Sequence, residues 1–245
     1  MNKLLKTSAL SLMLGFGLAA MAGSTLAALP ADFDAKLAAR PQADKDRDDN
    51  RKPKETIIEL GISEGMTVVD MMAGGGWFTR VLSAAVGPKG KVIAQFGAFG
   101  LRNNNGQPMK DMAAQLGNVE PFFEGMDKIP ANSADAGVTA MNLHDMYNNG
   151  GEDGGVAFVK GLYNALKPGG VAAIIDHTGN DGADNKSLHR IPVAATRSIL
   201  QKAGFEIVKE SKVLANAKDD HTKPTNSPEL ERHTDQLFFV VRKPK

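Results

Sequence analysis

The stretch Val68–Thr79, VVDMMAGGGWFT, runs from an apolar segment through one acid and two methionines into three consecutive glycines. The apolar run Thr67–Met71 has the length of a strand, and WFTRVLSAAV after the glycines has helical spacing, so the stretch reads as strand, turn, helix. In an open parallel sheet ligands bind beyond the carboxyl ends of the strands, which makes this turn the first place to look for one. Glycines there bend the chain sharply and let a ligand lie against the main chain. The dinucleotide fingerprint G-x-G-x-x-G, read from Gly74, needs a glycine where Thr79 stands, which argues against a nicotinamide or flavin.

The pattern continues on both sides. A short helix around Glu55–Leu60 precedes the stretch; GPKG then turns the chain into a second strand, KVIAQF. A helix near Met109–Leu116, strands near Val119–Phe123 and Ala134–Met141, a helix near Val156–Leu166 and a strand GVAAIID follow. ATRSILQKAGFEIVKES adds a helix and a strand, and DQLFFVVRK a last strand after a long polar segment. Strands alternating with helices predict an α/β fold: a doubly wound, mostly parallel sheet with helices on both faces.

Residues 1–28 read differently. Lys3 and Lys6 precede an uncharged run from Ala9 to Gly23, closed by small residues, the layout of a secretory signal peptide cleaved after Ala27 or Ala28. The run is shorter than the ~20 residues that span a bilayer, so a secreted or periplasmic chain without stable membrane insertion is expected. Residues 29–55 form a charged N-terminal arm and residues 56–245 the α/β domain. The arm repeats Asp44, Asp46 and Asp48, with Glu55 where a calcium loop would end. Asp49, however, stands where that loop needs glycine, and the interleaved basic residues would repel the ion, so a solvated arm is the expectation.

The 245 residues contain no cysteine, which excludes disulfides, thiolate metal sites and a cysteine nucleophile. Of 29 Lys and Arg against 28 Asp and Glu, the signal takes Lys3 and Lys6, leaving 27 against 28 and a mature net charge of −1. Such a balance exerts no general pull toward nucleic acid, and a small molecule is the expected partner. Nothing in the pattern specifies an oligomeric state.

VVDMMAGGGWFTRVL, with GKVIA and later LKPGGVAAIIDH, resembles the class I S-adenosylmethionine-dependent methyltransferases. RDDNRKP, NLHDMY, DHTG, LHRI, AGFEIVKES and DDHTKP extend the resemblance, over roughly Arg40 to the C-terminus, to an exported, poorly characterised subgroup of predicted methyltransferases. The fold this implies is a seven-stranded sheet with its last strand antiparallel, and the cofactor it implies is S-adenosylmethionine. By the same resemblance Asp70 and the turn Ala73, Gly74, Gly75 and Gly76 would hold the methionine part. Gln95 would stand at the ribose in place of the family's acid; Met126 and Asp127 would face the adenine, and Asn142 would complete the cofactor set. Met72 replaces the family's first glycine, with the core as one destination for its side chain.

All five histidines lie in the second half, and His144, His177 and His189 fall just beyond strand ends or on the adjacent segment. With Asp145 they form the candidate catalytic set, able to position an acceptor and take its proton. A metal site drawing on these histidines with Asp145 or Asp176 lacks close spacing such as H-x-x-x-H, and no metal ligand is assigned. The polar segment Ala217–His233 is a candidate lid. Trp77 and Phe78 read as core anchors. The expected activity is therefore methyl transfer to a small molecule. The alternative is a small-ligand-binding protein on the same scaffold; a hydrolase lacks a G-x-S-x-G motif.

Overall fold

The structure, a computed structural model, describes residues 28–245, so the signal-peptide expectation lies, but for Ala28, outside the described residues. Four short helices come first among the described residues: α1 (Phe33–Ala38), α2 (Gln42–Lys45), α3 (Asp48–Arg51) and α4 (Pro53–Leu60). Then follow β1 (Thr67–Met71), α5 (Trp77–Val86), β2 (Lys91–Gln95), α6 (Gln107–Leu116), β3 (Val119–Phe122) and β4 (Ala134–Ala140). The second half holds α7 (Leu143–Ala165), β5 (Leu166–Gly179), α8 (Asn185–Leu188), β6 (Ile191–Pro192), α9 (Val193–Lys202), β7 (Glu206–Ser211) and β8 (Gln236–Arg242).

The strands form one sheet in the order β3-β2-β1-β4-β5-β8-β7, with the two-residue β6 paired beside the end of β5. All neighbours are parallel except β8, which runs antiparallel to both β5 and β7. The chain starts in the middle at β1, winds outward to β3, then returns to β4. The order therefore reverses between β1 and β4, and a crevice opens there beyond their carboxyl ends.

Successive strand residues point to opposite faces, and in β1, β5 and β8 both faces are covered, which is why these strands read as apolar runs. Val68, Val92, Val138, Ile175 and Phe238 pack with Ile57, Trp77, Leu82 and Phe33 on one face. Val69, Ile93, Ile174, Phe239 and Val241 pack with Leu162, Ile199 and Leu200 on the other. Each such fully buried side chain contributes about 1.5–3 kcal/mol relative to exposure.

The fold departs from the sequence reading at three places. Helix α7 begins at Leu143 rather than near Val156, because the backbone N–H of His144 in its first turn is satisfied by a carboxylate from another strand, Asp176 Oδ2 at 2.8 Å. Its Asn- and Gly-rich first half bends at Gly151, where φ is 64°. Gly155, further along, is needed for contact with α9: a Cβ there would meet Ile199 Cδ1 at 2.6 Å. The charged segment is likewise not merely solvated, since Arg40 and Asp44 are buried and Phe33 joins the core. Asp44 pairs with Arg80, Asp48 with Arg40, and Asp46 accepts from Gln42 Nε2. Finally, Met72 is 38% exposed rather than turned into the core.

Candidate functional site

The glycine turn leaves β1 through a left-handed residue, Met72 at φ 54°, and the next parallel strand, β4, ends the same way at Met141, φ 61°. A non-glycine residue held there is costly, by roughly 1–2 kcal/mol, and such residues gather at functional sites. The Met72 turn is tied to its neighbour strand: the Met72 N–H donates to Gln95 Oε1 at 3.0 Å, and Gln95 Nε2 donates to the Glu124 carbonyl at 2.9 Å. Gln95 is thus buried and already bonded on both ends of its amide, with one further N–H on Nε2 to give.

Beside the turn lies a first cleft of about 440 Å³, lined by Asp70, Met72, Ala73, Gly74, Gly75 and Asn142 on the sheet side and by Asp44, Arg47 and Arg51 from the arm. Gly76 stands at the start of α5 and does not line the cleft. A Cβ built on Gly75 meets no protein atom within 4 Å, so this position faces open space. Asn142, at the start of α7, donates to the Ala140 carbonyl at 2.7 Å.

Asp70 is buried and accepts from Thr79 Oγ1 at 2.6 Å. Burial pushes its carboxyl up to about 7, against the Thr79 hydrogen bond and the Arg51 charge, which pull the other way. Arg51, which lines the same cleft, is lowered to about 10 by burial and by Arg47. Its guanidinium stacks 5.1 Å from the Trp77 ring centre. The Trp77 indole N–H donates to the Asp44 carbonyl at 3.0 Å, and Arg80 Nε donates to Asp44 Oδ2 at 2.6 Å and its Nη2 to the Gly75 carbonyl at 3.0 Å. Trp77 is therefore both a core anchor and the floor on which the arm rests.

A second cleft, about 520 Å³, shares Ala43, Arg47 and Arg51 with the first and is completed by Met141, His177 and the late residues Thr225, Asn226 and Glu231–His233. The candidate lid is anchored rather than free. Arg190 is fully buried; it pairs with Asp219 at 2.9 Å and donates to the Thr178 and Lys223 carbonyls, while Asp219 also accepts from the Asp235 and His221 N–H groups. Lys52 donates to the Val213 carbonyl at 2.6 Å, and Asn50 to that of Arg232, so arm and late segment roof this cleft together.

Met126 and Asp127 border a third cleft with Met71, Met72 and Gln95, on the far side of the turn. Met126 packs against Gly161 of α7, and Asp127 is largely exposed.

The histidines converge. The His144 ring centre lies 5.7 Å from those of both His177 and His189. Asp176, at the end of β5 and fully buried, bonds His144 Nδ1 at 2.7 Å and accepts from the His144 and His177 N–H groups. Burial opposes protonation of His144, yet the hydrogen bond and charge of Asp176, with the charge of Asp145, raise its pKa above the ordinary value. His177, bonded through Nδ1 to Thr234 Oγ1 at 2.7 Å, is driven down to about 4, chiefly by burial and then by His144, Arg190 and Arg51 against Asp176. His189 and Asp145 are half exposed beside His144. Asp44, Arg47, Arg51 and the Arg190–Asp219 pair were not legible as site residues, because their partners are distant in sequence.

No protein-family model matches the sequence, and no curated protein matches it. Solved structures do. An S-adenosylmethionine-dependent methyltransferase from Aquifex aeolicus superposes with a TM-score of 0.59 at 22% identity, covering 86% of this chain and 98% of its own. A putative sarcosine dimethylglycine methyltransferase from Galdieria sulphuraria gives 0.58 at 14%, covering 89% and 92%. A possible exported protein from Bordetella parapertussis gives 0.55 at 14%, covering 81% and 68%. The architecture is thus the fold of the class I methyltransferases.

Proposed function

We propose that the chain is an exported S-adenosylmethionine-dependent methyltransferase acting on a small molecule. The observation that carries this reading is one cleft lined by both the buried Asp70 and Arg51, beside an open glycine turn. An amino-acid end presents an ammonium and a carboxylate; Asp70 would hold the first, and Arg51 with Arg47 the second. The donor set fits the methionine end of the cofactor for that reason, and Gly74 and Gly75 leave room for it against the main chain.

When bound, S-adenosylmethionine supplies a methyl group on a positively charged sulfur, open to in-line displacement. The chain's share of the work is positioning. Gln95 would offer its remaining N–H to the ribose, and Met126 and Asp127 would meet the adenine in the third cleft, which begins at Met72, where the first ends. The second cleft, divided from the first by Arg47 and Arg51, would receive the acceptor. His177 is neutral at pH 7 there and suits hydrogen bonding to an acceptor more than proton removal, given its lowered pKa. His144, Asp145 and His189 stand behind it on the same rim. The signal-like N-terminus supports export, and among the described residues no helix is long and apolar enough to cross a membrane.

Calorimetric titration of the chain from Ala28 with S-adenosylmethionine and S-adenosylhomocysteine tests the reading. We expect saturable binding of both, weakened by about a hundredfold or more in Gly75→Asp, whose carboxylate would enter the cleft. No heat from either ligand at millimolar concentration would overturn it.

A further inference from the structure

Two side chains at the start of α7, His144 and Asp145, and one just after α8, His189, have an arrangement that methyl transfer does not require. His144 Nδ1 is committed to the buried Asp176, which leaves Nε2 as its free ring nitrogen. That Nε2 faces Asp145 Oδ1 at 3.3 Å, and His189 Nδ1 faces the same oxygen at 3.6 Å. Both separations exceed a normal N–H···O bond, whose heavy atoms lie about 2.9–3.0 Å apart. They match a different geometry: two atoms each about 2.0–2.1 Å from a tetrahedral ion stand about 3.3 Å apart. One ligand atom from each of the three residues lies within 4.8 Å of the other two.

We propose that His144 Nε2, Asp145 Oδ1 and His189 Nδ1 bind one divalent transition-metal ion, with zinc the best match to two imidazoles and a carboxylate. Imidazole and carboxylate donors suit zinc and its first-row neighbours over calcium or magnesium. A metal-bound imidazole commonly has its other nitrogen held by a carboxylate, which fixes the ring and raises its basicity; Asp176 stands in that position and acts as a positioning residue. His189 and Asp145 are half exposed, so the ion has a path in, and three protein ligands leave one position for water or an oxygen atom of a bound molecule. The His144 ring lies 5.7 Å from that of His177, which borders the second cleft, so the ion would stand at the edge of the proposed acceptor site. The inference does not rest on the cofactor reading.

The test is a titration of chelator-treated protein with zinc by calorimetry and with cobalt by visible absorption. The expected result is one ion per chain with a dissociation constant at or below about 1 μM and a four-coordinate cobalt spectrum. His189→Asn is the decisive variant. It removes a half-exposed ligand, and asparagine tolerates the left-handed backbone at this position, φ 53°, so the fold is kept. Its affinity should fall by about a hundredfold, as should that of Asp145→Asn, while Asp176→Asn loses about 10–100-fold. His177→Ala should bind as the parent does. Binding weaker than about 1 mM in the parent, or an affinity unchanged in His189→Asn, overturns the proposal.

Discussion

Met72 and Gln95 look in the sequence like two separate departures from the methyltransferase pattern, one at a glycine and one at a ribose-binding acid. In the fold they are a single interaction, the Met72 N–H on Gln95 Oε1, which pins the left-handed turn to the end of β2. No spacing rule could show this, because the bond joins two strands through one side chain. Asp70 was legible as the acid of the motif, but not its titration. Between about pH 4 and 7 the folded chain keeps a proton on Asp70 that the unfolded chain has lost, so the free protein loses stability from this group as pH rises across that window. The cofactor's ammonium would favour the ionised form. Affinity for S-adenosylhomocysteine should therefore rise about tenfold from pH 5.5 to 7, and Asp70→Asn should lose most of the affinity and the rise with it. Calorimetry at the two pH values checks both, and a pH-independent parent would count against Asp70 as the ammonium's partner.

At the scale of elements, the site has two movable-looking walls that the fold fixes. The arm α2–α3 carries an alternation of acids and bases that reads as solvated surface, since charge runs without apolar periodicity usually are. Its partners, Arg80, Trp77 and the Val213 carbonyl, lie on other elements, so its role appears only once the chain is folded. The late segment was singled out by its length and polarity, and it does reach the second cleft, but on a buried Arg190–Asp219 pair rather than as a free lid. Removing one partner of such a pair strands the other. Asp219→Asn should cost about 3–5 kcal/mol in urea unfolding and open residues 212–235 to proteolysis before the rest of the chain. A loss under about 1 kcal/mol would mean that this pair does not hold the segment.

At the scale of the molecule, the sheet was the legible part. Val68 and Val69 bury on opposite faces, and the same holds along β5 and β8, so these strands appear as apolar runs. All seven expected strands are present. The first half of α7 was not legible, because Asn149–Gly151 and Gly154–Gly155 read as loop while a remote carboxylate caps the helix and α9 packs on it. The convergence of three histidines on one rim followed from strand ends in a parallel sheet; their mutual geometry, and so the metal inference, did not. On the function proposed above, the crevice between β1 and β4 would hold the amino-acid end of a sulfonium cofactor. A crystal structure of the chain from Ala28, grown with millimolar S-adenosylhomocysteine, tests it most directly. The ligand's ammonium should lie within hydrogen-bond distance of Asp70 and its carboxylate at Arg51, over Gly74 and Gly75. An empty cleft under those conditions, or the ligand bound away from this turn, would contradict it.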